Sequence, residues 1–379
     1  MADGTIFQLI NQPNKLDSLK DIYGYSLLDI DTPNEKGQTP LHVAVLKNNL
    51  EVAAYLLSKG ANPNAKDSMG LSPYIAAAAN GLSEMFDLIS QYNPDVTQVN
   101  RFGGTALLPS SEKGFIRVVE LALKNKVPVD HVNKLGWSAL LEAVVLGDEG
   151  FLYQDIVVAL LNENADTSIK DFDGKTVMDY ALEQGKDRIL SLLKQGEDKA
   201  SPFSVIRQLL KKEEYLNAIK QLLAMDDSLE QVYYLGYCYE QLGKLKTSQF
   251  YYKQGLKHSV DFAYYIANSY KKEKNYQEVL AYFDLGINES KNPEFFKYHK
   301  SNFLREIGEH QVAINIMDEL LFLDPLRVDY LFHKSNSLIS LGKLDDAYEV
   351  MRVARDIQPN NSLFEDQMQQ LEELIIKEV

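Results

Sequence analysis

Gly37-Gln38-Thr39-Pro40-Leu41-His42-Val43-Ala44 opens the stretch that decides the fold, GQTPLHVAVLKNNLEVAAYLLSKGANPNAKD, which runs to Asp67. Thr39 can accept a hydrogen bond from the orphan N–H groups of a helix that begins at Pro40. Proline suits that first position, because its missing N–H would find no partner inside the helix. Gly37 permits the positive φ of a tight turn just before it. The same columns then return. Gly37, Gly70, Gly103 and Gly136 stand 33 residues apart, and Gly174 follows after 38. Thr39, Ser72, Thr105, Ser138 and Thr176 keep that register, so every copy carries a hydroxyl at the capping place. Asn48, Gly81, Gly114, Gly147 and Gly185 make a third column, where a first helix must end in a left-handed residue. Three columns in one register over five copies define a repeat array.

The pattern resembles the ankyrin repeat family, whose unit is a turn, two antiparallel helices and a loop in about 33 residues. The first copy holds that family's signature whole, as Thr39-Pro40-Leu41-His42-Val43-Ala44. Later copies drift, to Ser72-Pro73-Tyr74-Ile75, Thr105-Ala106-Leu107-Leu108, Ser138-Ala139-Leu140-Leu141 and Thr176-Val177-Met178-Asp179. Second helices are apolar at core spacing, as in Val52, Ala53, Leu56 and Leu57, or Ile156, Val157, Leu160 and Leu161. The resemblance covers residues 34–194 and implies about five repeats. Residues 1–33 read as a degenerate first repeat or an N-terminal cap, which a solenoid needs over its end face. The fourth copy carries about five extra residues within 148–154. Two readings of them stay open: a lengthened loop between its helices, or a partner-specific contact, since Phe151, Leu152 and Tyr153 are apolar for a loop.

Periodicity pauses at residues 195–201, a polar stretch with Gly196 that leads into Pro202 and is taken as a linker. A second period follows. Gly308 and Gly342 are 34 apart, as are Ala313 and Ala347, Met317 and Met351, and Pro325 and Pro359. The segments Glu306-Ile307-Gly308 to Ala313 and Ser340-Leu341-Gly342 to Ala347 resemble the tetratricopeptide repeat family, as does Leu235-Gly236-Tyr237 to Leu245. In that family a first helix ends at glycine, a second packs an alanine against it, and a proline closes the unit. This resemblance covers residues 202–360 and implies four to five repeats; residues 361–379 read as a capping helix. The expected fold class is therefore all-α, two helical-repeat solenoids in tandem.

The 379 residues include 45% hydrophobic and 25% charged side chains, the balance of an ordinary folded protein rather than a disordered one. The net charge of −15 is evenly spread: residues 1–195 hold 17 Lys+Arg against 25 Asp+Glu, and residues 196–379 hold 22 against 29. An acidic chain without a basic run argues against nucleic acid or an anionic membrane as main partner. One cysteine, Cys238, allows no internal disulfide and no cysteine-built zinc site. With no evident secretory signal and no run of about 18 apolar residues, a reduced, cytoplasmic setting without membrane insertion is expected.

No residue stands out as catalytic. Gly174-Lys175-Thr176 echoes the end of a phosphate-binding loop, but Ile169 occupies the place of that motif's first glycine, and the string falls in the turn columns. The six histidines show no metal-ligand spacing. No enzyme activity, cofactor or metal is expected.

Surfaces remain. In the tetratricopeptide register, one first-helix column reads Tyr233, Tyr264, Tyr298 and Phe332, and four positions on another reads Tyr237, Asn268, Asn302 and Asn336. Either these asparagines form a ladder that bonds an extended peptide's backbone between aromatic walls, or the aromatics only fill space between helices. The column that would need lysine to clamp a C-terminal carboxylate is aromatic here, so that specificity is not inferred. Around the ankyrin turn tips sit Met69, Phe102, Leu135, Trp137 and Phe172, either a partner-binding edge or side chains tucked against the next turn. The expected function is a non-enzymatic adaptor that binds protein or extended peptide. Two alternatives stand beside it: a regulatory sensor with the tetratricopeptide half as receiver and the ankyrin half as output arm, and an inhibitor of immunity type that neutralises a partner.

Overall fold

The computed structural model describes residues 2–10, 16–18, 20, 29–68 and 70–378. Among those residues every regular element is a helix and none is a strand. The chain divides into two units. Unit 1 comprises Met1–Gly147 and Ile156–Leu193; unit 2 comprises Asp148–Asp155 and Lys194–Val379.

In unit 1, α1 (Ala2–Ile10) precedes five helix pairs. These are α2 (Pro40–Leu46) with α3 (Leu50–Ser58), α4 (Pro73–Ala79) with α5 (Ser83–Ser90), and α6 (Leu107–Glu112) with α7 (Ile116–Lys124). Then come α8 (Ala139–Leu146) with α9 (Phe151–Asn162), and α10 (Val177–Glu183) with α11 (Asp187–Gln195). First helices such as α2, α4 and α8 are buried almost all round, which is why they read as unbroken apolar runs rather than as one-sided stripes. Their starts are fixed by the hydroxyl column: Thr39, Ser72, Ser138 and Thr176 each accept the N–H three residues on. Thr105 departs from that expectation. Its backbone carbonyl takes the Leu108 N–H instead, leaving its buried hydroxyl unpartnered.

First helices end as the third column requires at Asn48 (φ 51°), Gly81 (67°), Gly114 (73°) and Gly185 (63°). Gly147 does not. With φ −82° and ψ −175° it is extended, and residues 148–150 separate it from the helix that begins at Phe151.

Unit 2 pairs α12 (Pro202–Lys211) with α13 (Tyr215–Leu222), α14 (Leu229–Gln241) with α15 (Leu245–Leu256), and α16 (Phe262–Lys272) with α17 (Tyr276–Glu289). It continues with α18 (Pro293–Glu306) and α19 (His310–Leu323), α20 (Val328–Ser340) and α21 (Leu344–Ile357), and closes on α22 (Ser362–Glu378). Each pair is joined through one left-handed residue: Glu213, Gly243, Lys274, Gly308 or Gly342. Close packing within pairs needs small residues. Gly236, Ala267, Ser301 and Ser335 make one such buried column on the first helices, and Ser248, Val279, Ala313 and Ala347 make another on the second. The contact repeats down to its hydrogen bonds, since Ser301 Oγ donates to the Ala313 carbonyl and Ser335 Oγ to the Ala347 carbonyl, each at 3.2 Å. α22 buries Leu363, Phe364, Met368 and Leu371 against α21 and so covers the end of the stack.

Candidate interaction surfaces

Helical spacing sets the aromatic column of unit 2 on its first helices, and the structure buries all four members. Tyr233, Tyr264, Tyr298 and Phe332 are each 1–2% exposed. Tyr298 packs against His299, Tyr330 and His333, and its hydroxyl lies 3.2 Å from His333 Nε2. The asparagine column is uneven. Asn268 and Asn302 are half-buried, and Asn302 accepts from the Arg305 guanidinium. Asn336 is buried, and neither its Oδ1 nor its Nδ2 has a hydrogen-bond partner.

The extra residues of the fourth ankyrin copy fold differently from a loop. Phe151 begins α9, and its first turn, with Asp148–Gly150 before it, lies in unit 2. Their apolar side chains are accounted for there. The Phe151 ring stacks on Tyr233 (centroids 5.5 Å apart) and meets Phe262 edge-on at 6.5 Å. Tyr153, fully buried, packs against Tyr264 and Phe295, and its hydroxyl lies 3.3 Å from His299 Nε2. The Leu152 N–H donates to the Tyr265 hydroxyl at 3.5 Å. Gly150 passes so close that a Cβ there would stand 2.5 Å from that same oxygen.

Asp155 ends this segment in a buried polar knot. Its carboxylate accepts from Arg207 Nε at 2.7 Å, from the Tyr234 hydroxyl at 2.7 Å and from the Tyr233 hydroxyl at 3.4 Å. Arg207 also donates to Glu197 at 3.2 Å and Glu230 at 3.0 Å. Burial pushes the Asp155 carboxyl up, against the pull of Arg207 and of the two phenols.

In unit 1 the turn tips differ among themselves. Phe172 projects, 57% exposed, while Phe102 is half-buried with the Arg101 guanidinium 5.0 Å over its ring. Leu135 and Trp137 do not project: they are buried, and the indole N–H of Trp137 donates to Asp171 at 3.3 Å. Met69 lies outside the described residues. Neighbouring tips are tied through backbone, Ser68 N–H to the Lys36 carbonyl and Lys134 N–H to the Phe102 carbonyl. His42 braces two copies. Its Nε2 bonds the Leu71 carbonyl at 2.9 Å while Nδ1 accepts the Thr39 N–H at 3.0 Å, and burial holds the ring below the usual imidazole range.

One column escaped the sequence reading. Asn34, Asp67, Asn100, Asn133 and Asp171 keep the repeat spacing, and the Oδ1 of each accepts the N–H four residues on, closing the turn from inside. The signal is a column occupied by either Asn or Asp, which no single repeated residue type reveals.

Among the described residues no group of three or more His, Cys, Asp or Glu could hold a metal, and no helix is long and apolar enough to cross a membrane. Burial pushes the Cys238 thiol up to about 12.

Short buried helices, capped turns and tips joined side to side are the features of a helical repeat array. Models of ankyrin repeats match residues 22–77 and, as three copies, residues 74–171. The ankyrin repeat protein YahD of Escherichia coli strain K12 is 34% identical over 188 residues, 49% of this chain and 93% of its own length. Two crystal structures align with 51% of this chain and 98% of their own, each with a TM-score of 0.49. They are the ankyrin repeat protein EF0377, 38% identical, and an ankyrin repeat domain from Acinetobacter baumannii AYE, 36% identical. The chain belongs to the ankyrin repeat family.

Proposed function

We propose that the chain is a non-enzymatic adaptor, and that unit 2 is a tetratricopeptide-like solenoid whose first-helix face takes an extended peptide. The observation that carries this reading is Asn336, which is 7% exposed and has neither amide atom bonded. A buried amide without donor or acceptor costs about 1–3 kcal/mol, and an apolar residue of similar shape would fold without that cost. The main chain of an extended peptide supplies both missing partners, an N–H for Oδ1 and a carbonyl for Nδ2. Both atoms lie beneath the surface, so engagement requires a rotamer change at Asn336 or at a side chain that covers it. Asn302 and Asn268 follow at 34-residue intervals in the same column. A repeat step of roughly 10 Å spans about three peptide residues, so such a ladder bonds main chain at intervals and tolerates varied side chains between them.

Unit 1 adds a second surface of the kind ankyrin repeats use for protein partners, with Phe172 and Phe102 at its tips. The acidic balance favours protein over nucleic acid on both units, and the family's repeats are binding modules rather than catalysts.

The test pairs binding with stability. Partners retained on the immobilised full-length protein are identified, and their binding is compared for wild type, Asn302→Ala and Asn336→Leu. Asn336→Leu abolishes peptide binding while its melting temperature equals or exceeds that of wild type, because the unsatisfied amide is gone. A lower melting temperature with binding unchanged refutes the reading.

A further inference from the structure

Unit 2 already holds one piece of chain in the manner of a bound peptide. Phe151, Leu152, Tyr153 and Gln154 fall within the stretch, residues 148–154, where the fourth ankyrin copy carries about five residues that the other four do without, and Asp155 follows directly. The segment engages unit 2 through separable contacts: the Phe151 ring on Tyr233, the Tyr153 ring among Tyr264, Phe295 and His299, and the Asp155 carboxylate on Arg207. The polar contacts decide what such a site is for. A buried ion pair contributes little net stability compared with an apolar replacement, but it discriminates strongly between partners that bring a charge and partners that do not. A brace needs only the rings. A carboxylate met by one guanidinium and two phenol hydroxyls, and a phenol hydroxyl met by a histidine nitrogen, are the marks of a site that reads its occupant.

We propose that this face of unit 2 is a recognition site for peptides of the form aromatic–X–aromatic–X–carboxylate, and that residues 151–155 are its built-in, displaceable occupant. An outside protein carrying such a segment competes with the chain's own copy, so the resident segment sets a threshold for binding. The inference stands on contacts other than those of Asn336 and does not depend on the asparagine ladder.

Gly150→Ala tests it in the intact protein, because the added Cβ would stand 2.5 Å from the hydroxyl of the buried Tyr265 and 2.9 Å from the Asp148 carboxylate, crowding the segment against its contacts while deleting none of its side chains. The probe is a fluorescent peptide, Gly-Phe-Leu-Tyr-Gln-Asp with blocked ends, followed by anisotropy. Gly150→Ala binds the probe at least about tenfold more tightly than wild type does, and replacing the probe's Asp by Asn costs about tenfold or more. A folded Gly150→Ala protein that binds the probe no better than wild type overturns the proposal, as does indifference to the Asp-to-Asn change. If Gly150→Ala fails to fold, hydrogen exchange in the wild-type protein decides. The Gly150 and Leu152 amides, bonded to Asp148 and Tyr265, exchange by local opening, faster than the amides of α14 to α20. Exchange of those two amides only together with the whole of unit 2 overturns the proposal.

Discussion

Arg207→Met removes the one cation in the knot that holds Asp155. The guanidinium meets Asp155 at 2.7 Å, Glu230 at 3.0 Å and Glu197 at 3.2 Å, with side-chain exposures of 9%, 26% and 10%. Methionine keeps most of the stem's packing, so the loss is electrostatic. Two phenol donors stay on Asp155 without a counter-charge, and stranding a buried charge costs about 3–5 kcal/mol. Glu230, a quarter exposed, adds little. The loss must depend on pH. Burial already raises the Asp155 carboxyl, and without Arg207 it rises further. A folded-state pKa above the unfolded value of about 3.9 gives stability that is present in acid and lost as pH rises through the folded pKa. The deficit of the variant is therefore smaller in acid and grows as pH rises. Urea unfolding followed by far-UV circular dichroism reads both units, while fluorescence of the single tryptophan, Trp137, reads unit 1. A shift in the unit 2 transition equivalent to less than about 1 kcal/mol, or a deficit that grows in acid, refutes the electrostatic account.

Three further outcomes follow from the packing. The His42 ring is held neutral with its pKa lowered by burial, so unit 1 loses stability as pH falls from about 6.5 through the folded pKa. Trp137 fluorescence on acid titration reads this slope, which should flatten in His42→Gln. Gly286→Ala would drive a Cβ into the Phe296 ring and should destabilise unit 2 by about 1–3 kcal/mol or more in urea, unless Phe296 can swing away. At the tips, Trp137→Ala should cost about 3–5 kcal/mol because the indole is 5% exposed, whereas Phe172→Ala should stay within about 0.5 kcal/mol of wild type by thermal melting.

Much of the architecture was legible because it recurs. The glycine, hydroxyl and helix-ending columns mark helix boundaries through local backbone chemistry, and a local rule leaves a trace at every copy. The turn-closing Asn/Asp column is equally local and was readable in principle; it hides because either residue supplies the same Oδ1. Exposure is another matter. Periodicity places Tyr233, Tyr264, Tyr298 and Phe332 at one helical position, but whether that position is open depends on what lies over it. For Tyr233 and Tyr264 that cover includes Phe151 and Tyr153. The Tyr153–His299 contact joins residues 146 apart in sequence, and no pattern within either repeat announces it.

The departures from period are where specific chemistry gathers. Among the helix-ending positions of unit 1, Gly147 alone keeps its residue type yet is extended, and the docked segment begins at the next residue. Asn336 keeps the column of Asn268 and Asn302, yet is the one whose buried amide is left unbonded on both sides. In a solenoid, stability is close to a sum of neighbour contacts, so one atypical copy can be tolerated without loss of the array. A copy can then carry a feature that costs stability locally, such as a desolvated carboxylate or an unsatisfied amide, while its neighbours hold the fold. On the proposals above, the repeats fix where a partner lies, and the buried Asp155 carboxylate with Arg207 and the unbonded Asn336 amide decide which partner is accepted.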